Sequence, residues 1–119
     1  ATSSYSESNG GSQGGNYHGT HWNNRAYRVF TGQTKTGLQN GLYTARVWAR
    51  RGSGQIVCQL EAKDYGGAKL VANVPVSNTY QLLEIRNINV TNGQCTVGLW
   101  SDAYANNWCH FDSFELIRQ

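Results

Sequence analysis

Two tryptophans and a short run of amides are the side chains here with most to offer chemically. Trp108 follows the segment SDAYANN, residues 101–107, which gathers Asp102, Tyr104, Asn106 and Asn107. Trp22, flanked by His21 and Asn23, repeats the mixture nearer the start, and Arg51 adds a permanent cation. An aromatic ring can bury a flat C–H face, while amide, phenol and carboxylate groups fix hydroxyls by directional hydrogen bonds. Stacking combined with hydroxyl recognition is what a sugar requires. His21 and His110 can contribute bonds of the same kind. Two residues on, Asp112 falls in a strand, where a carboxylate needs a cation or backbone donors as partner. The plainer alternatives are that the tryptophans cap a core and that the Asp and Asn residues make ordinary turns.

The elements that must hold these groups read as short strands. Cys95, Val97 and Leu99 alternate with Thr96, Gly98 and Trp100, the period of a half-buried strand, and SDAYANN follows as a loop. From Trp108 to Ile117 the strand pattern resumes. Phe111 and Phe114 are out of phase, so both face inward only if a bulge separates them. In LYTARVWAR, residues 42–50, Tyr43, Ala45, Val47 and Ala49 share one face and Arg46, Trp48 and Arg50 the other. Residues 55–63, 69–76 and 80–90 continue in the same manner, with a second phase shift between Ile85 and Ile88. Pro75 marks a strand end or edge. At the start, TSSYSES and NYHGTHW read as strands joined by the glycine-rich NGGSQGG, and AYRVFTGQT follows. No apolar stripe of 3.6-residue period persists, so helix content is expected near zero. The fold class expected is all-β, a β-sandwich or barrel of eight or nine antiparallel strands.

If successive strands run antiparallel, their connections alternate between two ends. One end then collects His21–Asn24, Arg51–Gly54, Ser77–Asn78 and the SDAYANN loop, and the other collects the plain turns GLQNG, DYGG and VTNG. The first end holds the unusual chemistry, with Trp22 and Trp108 at its strand termini. Trp48 and Trp100 fall opposite the inward residues of their strands. They line a groove with Arg46 and Arg50, or they pack against the second sheet, the reading favoured here.

Composition sets the bounds. A chain of 119 residues makes one domain, residues 1–119, and 14% charged residues with 39% hydrophobic ones describe a folded chain. Nothing approaches the roughly 20 apolar residues of a membrane helix, and no basic start precedes an apolar run. The net charge of +3 is scattered rather than run together, which argues against nucleic acid and leaves an acidic glycan open. Cys58, Cys95 and Cys109 lack CxxC spacing, which argues against zinc; a Cys95–Cys109 bridge is one option, and an odd count leaves one thiol over. Glycoside hydrolysis needs two opposed carboxylates, yet only Asp102 falls at the loop-rich end, and no GxSxG elbow holds a serine. These features point to binding rather than catalysis.

The runs GLQNGLYTARVWARRGSGQ, KDYGG and NINVTNGQCTVGLWSDAYANNWCHFDSFELI, with NYHGTHW and AYRVFTGQT before them, carry a resemblance over roughly residues 16–117. They resemble a carbohydrate-binding module of the β-jelly-roll type, most similar to the family 61 modules appended to bacterial β-1,4-galactanases. The resemblance implies a jelly roll of two antiparallel sheets and a secreted, extracellular, non-catalytic, monomeric module. It implies a galactan or other plant cell-wall polysaccharide as ligand and covalent linkage to a glycoside hydrolase, with no nucleic-acid or membrane partner. It also implies a structural calcium with a ligand from an Asp-Asp pair in the last strand. Here that pair reads Asp112-Ser113, leaving Asp112 as the metal candidate. The apolar opening strand ending in Phe-Glu, usual in such modules, does not precede Ala1; either the chain begins late or TSSYSES takes its place. An adhesion or protein-interaction sandwich is the rival reading.

Overall fold

The structure, a computed structural model, describes residues 4–8 and 17–119. The NGGSQGG turn expected over residues 9–15 lies outside the described residues. Nine strands are described: β1 (Ser4–Ser8), β2 (Tyr17–Trp22), β3 (Tyr27–Lys35), β4 (Gly41–Arg51), β5 (Gln55–Lys63), β6 (Leu70–Asn73), β7 (Ser77–Val90), β8 (Cys95–Ala103) and β9 (Trp108–Arg118). They form a five-stranded sheet ordered β1-β2-β9-β4-β7 and a four-stranded sheet ordered β3-β8-β5-β6. The strand ladders within both sheets are antiparallel. Only β1–β2 and β5–β6 stay within one sheet; every other connection crosses from one sheet to the other. This is the all-β sandwich that the alternating patterns predict.

Period two becomes burial directly. Ala45, Val47 and Ala49 of β4, Leu60 and Ala62 of β5, and Leu99 of β8 are fully buried between the sheets, with Ile88 and Val90 of β7. A fully buried Val, Leu or Ile contributes roughly 1.5–3 kcal/mol relative to exposure, so this row supplies the main cohesion of the sandwich. Both phase shifts are bulges. Asn87 and Ser113 take φ of 59° and 58°, and the ladders slip beside them. The slip at Ser113 lets Phe114 pack on the core as Phe111 does, their ring centroids 5.6 Å apart.

Two expectations are corrected. SDAYANN is not a loop throughout: Ser101, Asp102 and Ala103 extend β8, leaving 104–107 to turn the chain. Trp48 and Trp100 do not pack between the sheets. Each stands half-buried on the outer face of its own sheet, because the neighbours that alternate with them, Val47 and Leu99, take the interior.

Candidate functional site

Hydrogen bonds gather one end of the sandwich. Asn106 N–H donates to the Asn23 carbonyl at 2.8 Å, Tyr104 N–H to Gly54 at 3.3 Å, and Gly52 N–H to Trp108 at 3.2 Å. The connections β2–β3, β4–β5 and β8–β9 are thereby laced together. Buried Tyr27 adds a bolt, its hydroxyl lying 3.0 Å from the His21 carbonyl and 2.9 Å from that of Asn107.

On the outer face of the five-stranded sheet this end carries an aromatic cluster. Trp22 and Trp108 are direct cross-strand partners of β2 and β9, and directly opposed residues share a face. Trp108 and His110, two apart on β9, have ring centroids 4.8 Å apart. Opposite His110 in the ladder is Arg50 of β4, which donates from Nε to His110 Nδ1 at 3.1 Å and from Nη1 to the Asn78 carbonyl at 2.9 Å. That guanidinium lies 4.7 Å from the Tyr80 ring centre and 6.0 Å from that of Trp108, a cation held between two π faces. Gly52 leaves room for the indole: a Cβ there would sit 2.8 Å from Trp108 Nε1. Burial pushes the pKa of the Tyr80 hydroxyl up to about 12, against the opposing pull of the neighbouring Arg50. Farther along the same face, Trp48 stands opposite Asp112.

The sequence-derived candidates separate into three groups. Trp22 and Trp108 come together on this outer face. Tyr104 is the exposed tip of the turn, 64% accessible, and Asn23, Asn106 and Asn107 build the loops around it. Asn106 takes φ 63°. Asn107 Nδ2 donates to the Tyr104 and Ala105 carbonyls at 3.2 and 3.0 Å, so its amide staples the turn.

The remaining three lie elsewhere. His21 is fully buried and faces inward, its Nδ1 2.7 Å from Ser101 Oγ and its Nε2 2.9 Å from Thr31 Oγ1. It cannot touch a surface ligand, because register places it beside Cys109 on the core side. Burial lowers its pKa from 6.5 to about 4, so it is neutral at pH 7. Arg51 is committed to structure, donating to the Val74 and Gly52 carbonyls at 2.7 and 3.1 Å. Asp102 belongs to the opposite outer face, 3.5 Å from Arg28. Tyr80 escaped the sequence reading, although its phase with Leu82 and Glu84, opposite Leu83 and Ile85, was the signal that places it outward.

Asp112, the metal candidate, lies on the outer face of β9. Ser113 Oγ lies 3.4 Å from Asp112 Oδ1, but no three His, Cys, Asp or Glu side chains among the described residues come together around a common point.

With the geometry in view, known proteins can be compared. No family model matches the chain. A 1,6-alpha-glucosyltransferase of Sporosarcina globispora is 28% identical over 83 residues, which is 69% of this chain but only 6% of that enzyme. Among solved structures, TmCBM61 in complex with beta-1,4-galactotriose has a TM-score of 0.85 at 22% identity, covering 98% of this chain and 83% of that one. A family 16 carbohydrate-binding module has a TM-score of 0.65 at 16% identity, covering 91% and 81%. The enzymatically active domain of tailspike protein 4 of bacteriophage CBA120 has 0.71 at 11% identity, covering 95% of this chain and 17% of that one. The class is therefore fixed at the level of fold: a β-jelly-roll sandwich of the kind that carbohydrate-binding modules adopt. Its particular likeness is to a family 61 module.

Proposed function

We propose that this chain is a non-catalytic carbohydrate-binding module whose ligand lies across the outer face of the five-stranded sheet at its laced end. The observation that carries the reading is the pairing of Trp22 with Trp108 beside Arg50, His110 and Tyr80. A pyranose C–H face laid on the indoles would lose water without losing its hydroxyl hydrogen bonds, which the Arg50 guanidinium and the Trp108 indole N–H are placed to meet. Trp22 and Trp108 of the loop-end reading and Trp48 and Arg50 of the sheet-face reading share this face, whereas Trp100 lies on the other sheet. β-1,4-Galactan is the ligand we favour, supported by the fold shared with a module solved on galactotriose.

Attachment to a larger secreted bacterial enzyme belongs to the same proposal. Its support is that the matching stretch forms 6% of the glucosyltransferase and 17% of the tailspike domain. Among the described carboxylates on this face, Glu84 is taken up by Arg46 at 2.7 Å, and Asp112 and Glu115 lie along one strand, β9, rather than across a cleft, which supports binding without hydrolysis. The test is an affinity-gel series across galactan, arabinan, xylan, mannan and pectin, with reducing-sugar release assayed in parallel. Retardation by galactan without sugar release is expected. Binding to pectin alone, lost at high salt, would favour the acidic-glycan reading that Arg50 and the net charge of +3 suggest. Enzyme-like sugar release would overturn the binding reading.

A further inference from the structure

Cys58 and Cys109 meet across the core. Cys58 lies on β5 of the four-stranded sheet and Cys109 on β9 of the five-stranded one, and their Sγ atoms are 2.9 Å apart. Nonbonded carbons, smaller than sulfur, rest at about 3.5–4.0 Å, so these two sulfurs are closer than unbonded packing prefers. A disulfide needs them at about 2.05 Å, an approach of less than one further ångström with both side chains already pointing at each other. Both residues are buried, at 4% and 0% exposure. Ser101 Oγ lies 3.9 Å from Cys58 Sγ, and that hydroxyl is also engaged by His21.

We propose that Cys58 and Cys109 form an inter-sheet disulfide when the chain folds under oxidising conditions, leaving Cys95 as the single thiol. The pairing differs from the Cys95–Cys109 option that spacing alone left open. Cys95 is buried elsewhere, paired in register with Lys35 and with its Sγ 3.8 Å from the Thr96 carbonyl.

The chemistry is thiol–disulfide exchange with a small-molecule disulfide such as oxidised glutathione. One cysteine thiolate attacks the reagent's S–S bond, giving a mixed disulfide and releasing one glutathione thiolate. The second cysteine thiolate attacks the protein sulfur of that mixed disulfide and releases the other. Two cysteine protons pass to solvent or to the departing thiolates, and the two electrons reside in two molecules of reduced glutathione. Burial raises the Cys109 thiol well above its ordinary range, so little thiolate exists once the sheets have closed. Exchange is therefore expected while the sandwich is still assembling, and the finished bond is expected to resist reductant until the protein unfolds.

The bond would sit directly behind the proposed ligand face. Cys109 lies between Trp108 and His110 on β9, so a link from its inward side fixes the strand whose outward side carries the aromatic cluster. The disulfide argument does not depend on the identity of the ligand, and its test involves no sugar.

The test is peptide mapping of protein refolded in reduced and oxidised glutathione, then alkylated with iodoacetamide in denaturant. Trypsin with Asp-N protease places the three cysteines in separate fragments, 52–63, 87–101 and 102–111. Expected are one alkylated cysteine, Cys95, and a linked species joining 52–63 to 102–111, two hydrogens lighter than the separate fragments. Reduction before alkylation should raise the labelled count from one to three. Cys95→Ala should keep the link, and Cys58→Ala should leave Cys109 labelled. If Cys58→Ala does not fold, the wild-type map still decides. Three labelled thiols without reductant, or a link involving 87–101, would overturn the proposal.

Discussion

The outer faces of the two sheets both pair charges and cover rings with cations, and they differ at the laced end of the five-stranded one. On the four-stranded sheet, charges are matched locally. Glu61 is nearly buried between Lys63 at 3.7 Å and Lys69 at 3.5 Å, Asp102 meets Arg28 at 3.5 Å, and Lys63 covers the Phe30 ring at 4.0 Å. Phe30 itself lies down on the opposed pair Gly32 and Gly98, where any Cβ would clash with its ring. That face completes its own contacts. On the five-stranded sheet Arg46 and Glu84 are paired in the same way at 2.7 Å, but at the laced end Arg50 is held by a ring nitrogen, a carbonyl and π faces. Two cross-strand tryptophans beside a guanidinium offer a ligand both a stacking surface and hydrogen-bond donors. Aromatic content alone does not make a binding face, since both faces have it. What distinguishes them is the pairing of Trp22 with Trp108, two large rings side by side at the laced end.

The largest predicted effect concerns the core behind that face. His21 would be protonated below pH 6.5 in the unfolded chain but only below about 4 in the folded one, so the unfolded state binds more protons between these values. Stability therefore falls as pH drops through this window, by roughly 3 kcal/mol from this group. Urea unfolding at pH 7 and pH 4 measures it. The slope should flatten in His21→Gln, and an unchanged slope would detach acid sensitivity from His21.

Next come the tryptophans. Trp108→Ala should weaken galacto-oligosaccharide binding by about 1–3 kcal/mol, the cost of an aromatic anchor, while the fold survives. Trp100→Ala on the opposite face should leave affinity unchanged and cost about 2 kcal/mol of stability, less than a fully buried ring would. Calorimetric titration and thermal melts read the two quantities separately. If both variants lost affinity equally, the contrast between the faces would fail.

Smaller still is Asp102→Asn. Its partner Arg28 is largely exposed, so less than about 1 kcal/mol of stability and no affinity should be lost. An affinity loss would return Asp102 to the site. The smallest expected effect is that of chelation. With one carboxylate at Asp112 among the described residues, EDTA should leave the melting temperature of metal-loaded protein unmoved. A fall would mean that other ligands complete a calcium site there, as the family resemblance implies.

Much of this was legible in sequence, for definite reasons. Alternation along β4, β5 and β8 placed Val47, Leu60 and Leu99 inside because β strands repeat every two residues. Out-of-phase apolar pairs located both bulges, and antiparallel alternation gathered the correct loops at one end. The failures lie where period two is silent. In β2, Gly19 and His21 alternate with Thr20 and Trp22, with no apolar stripe to say which faces in. Register against β9 decided it and sent His21 to the core. Arg51 looked like a ligand cation because its carbonyl acceptors come from backbone elsewhere in the fold. The meeting of Cys58 with Cys109 depends on how two sheets are stacked, which no spacing within a strand encodes.

The central claim is that a sugar occupies the outer face of the five-stranded sheet, and the four tryptophans report on it directly. Their indole N–H resonances in a heteronuclear NMR spectrum, assigned by single substitutions, can be followed as β-1,4-galactotriose is added. Trp108 and Trp22 should shift most, Trp48 less, and Trp100 not at all. A shift at Trp100 with Trp108 and Trp22 unmoved would contradict the account.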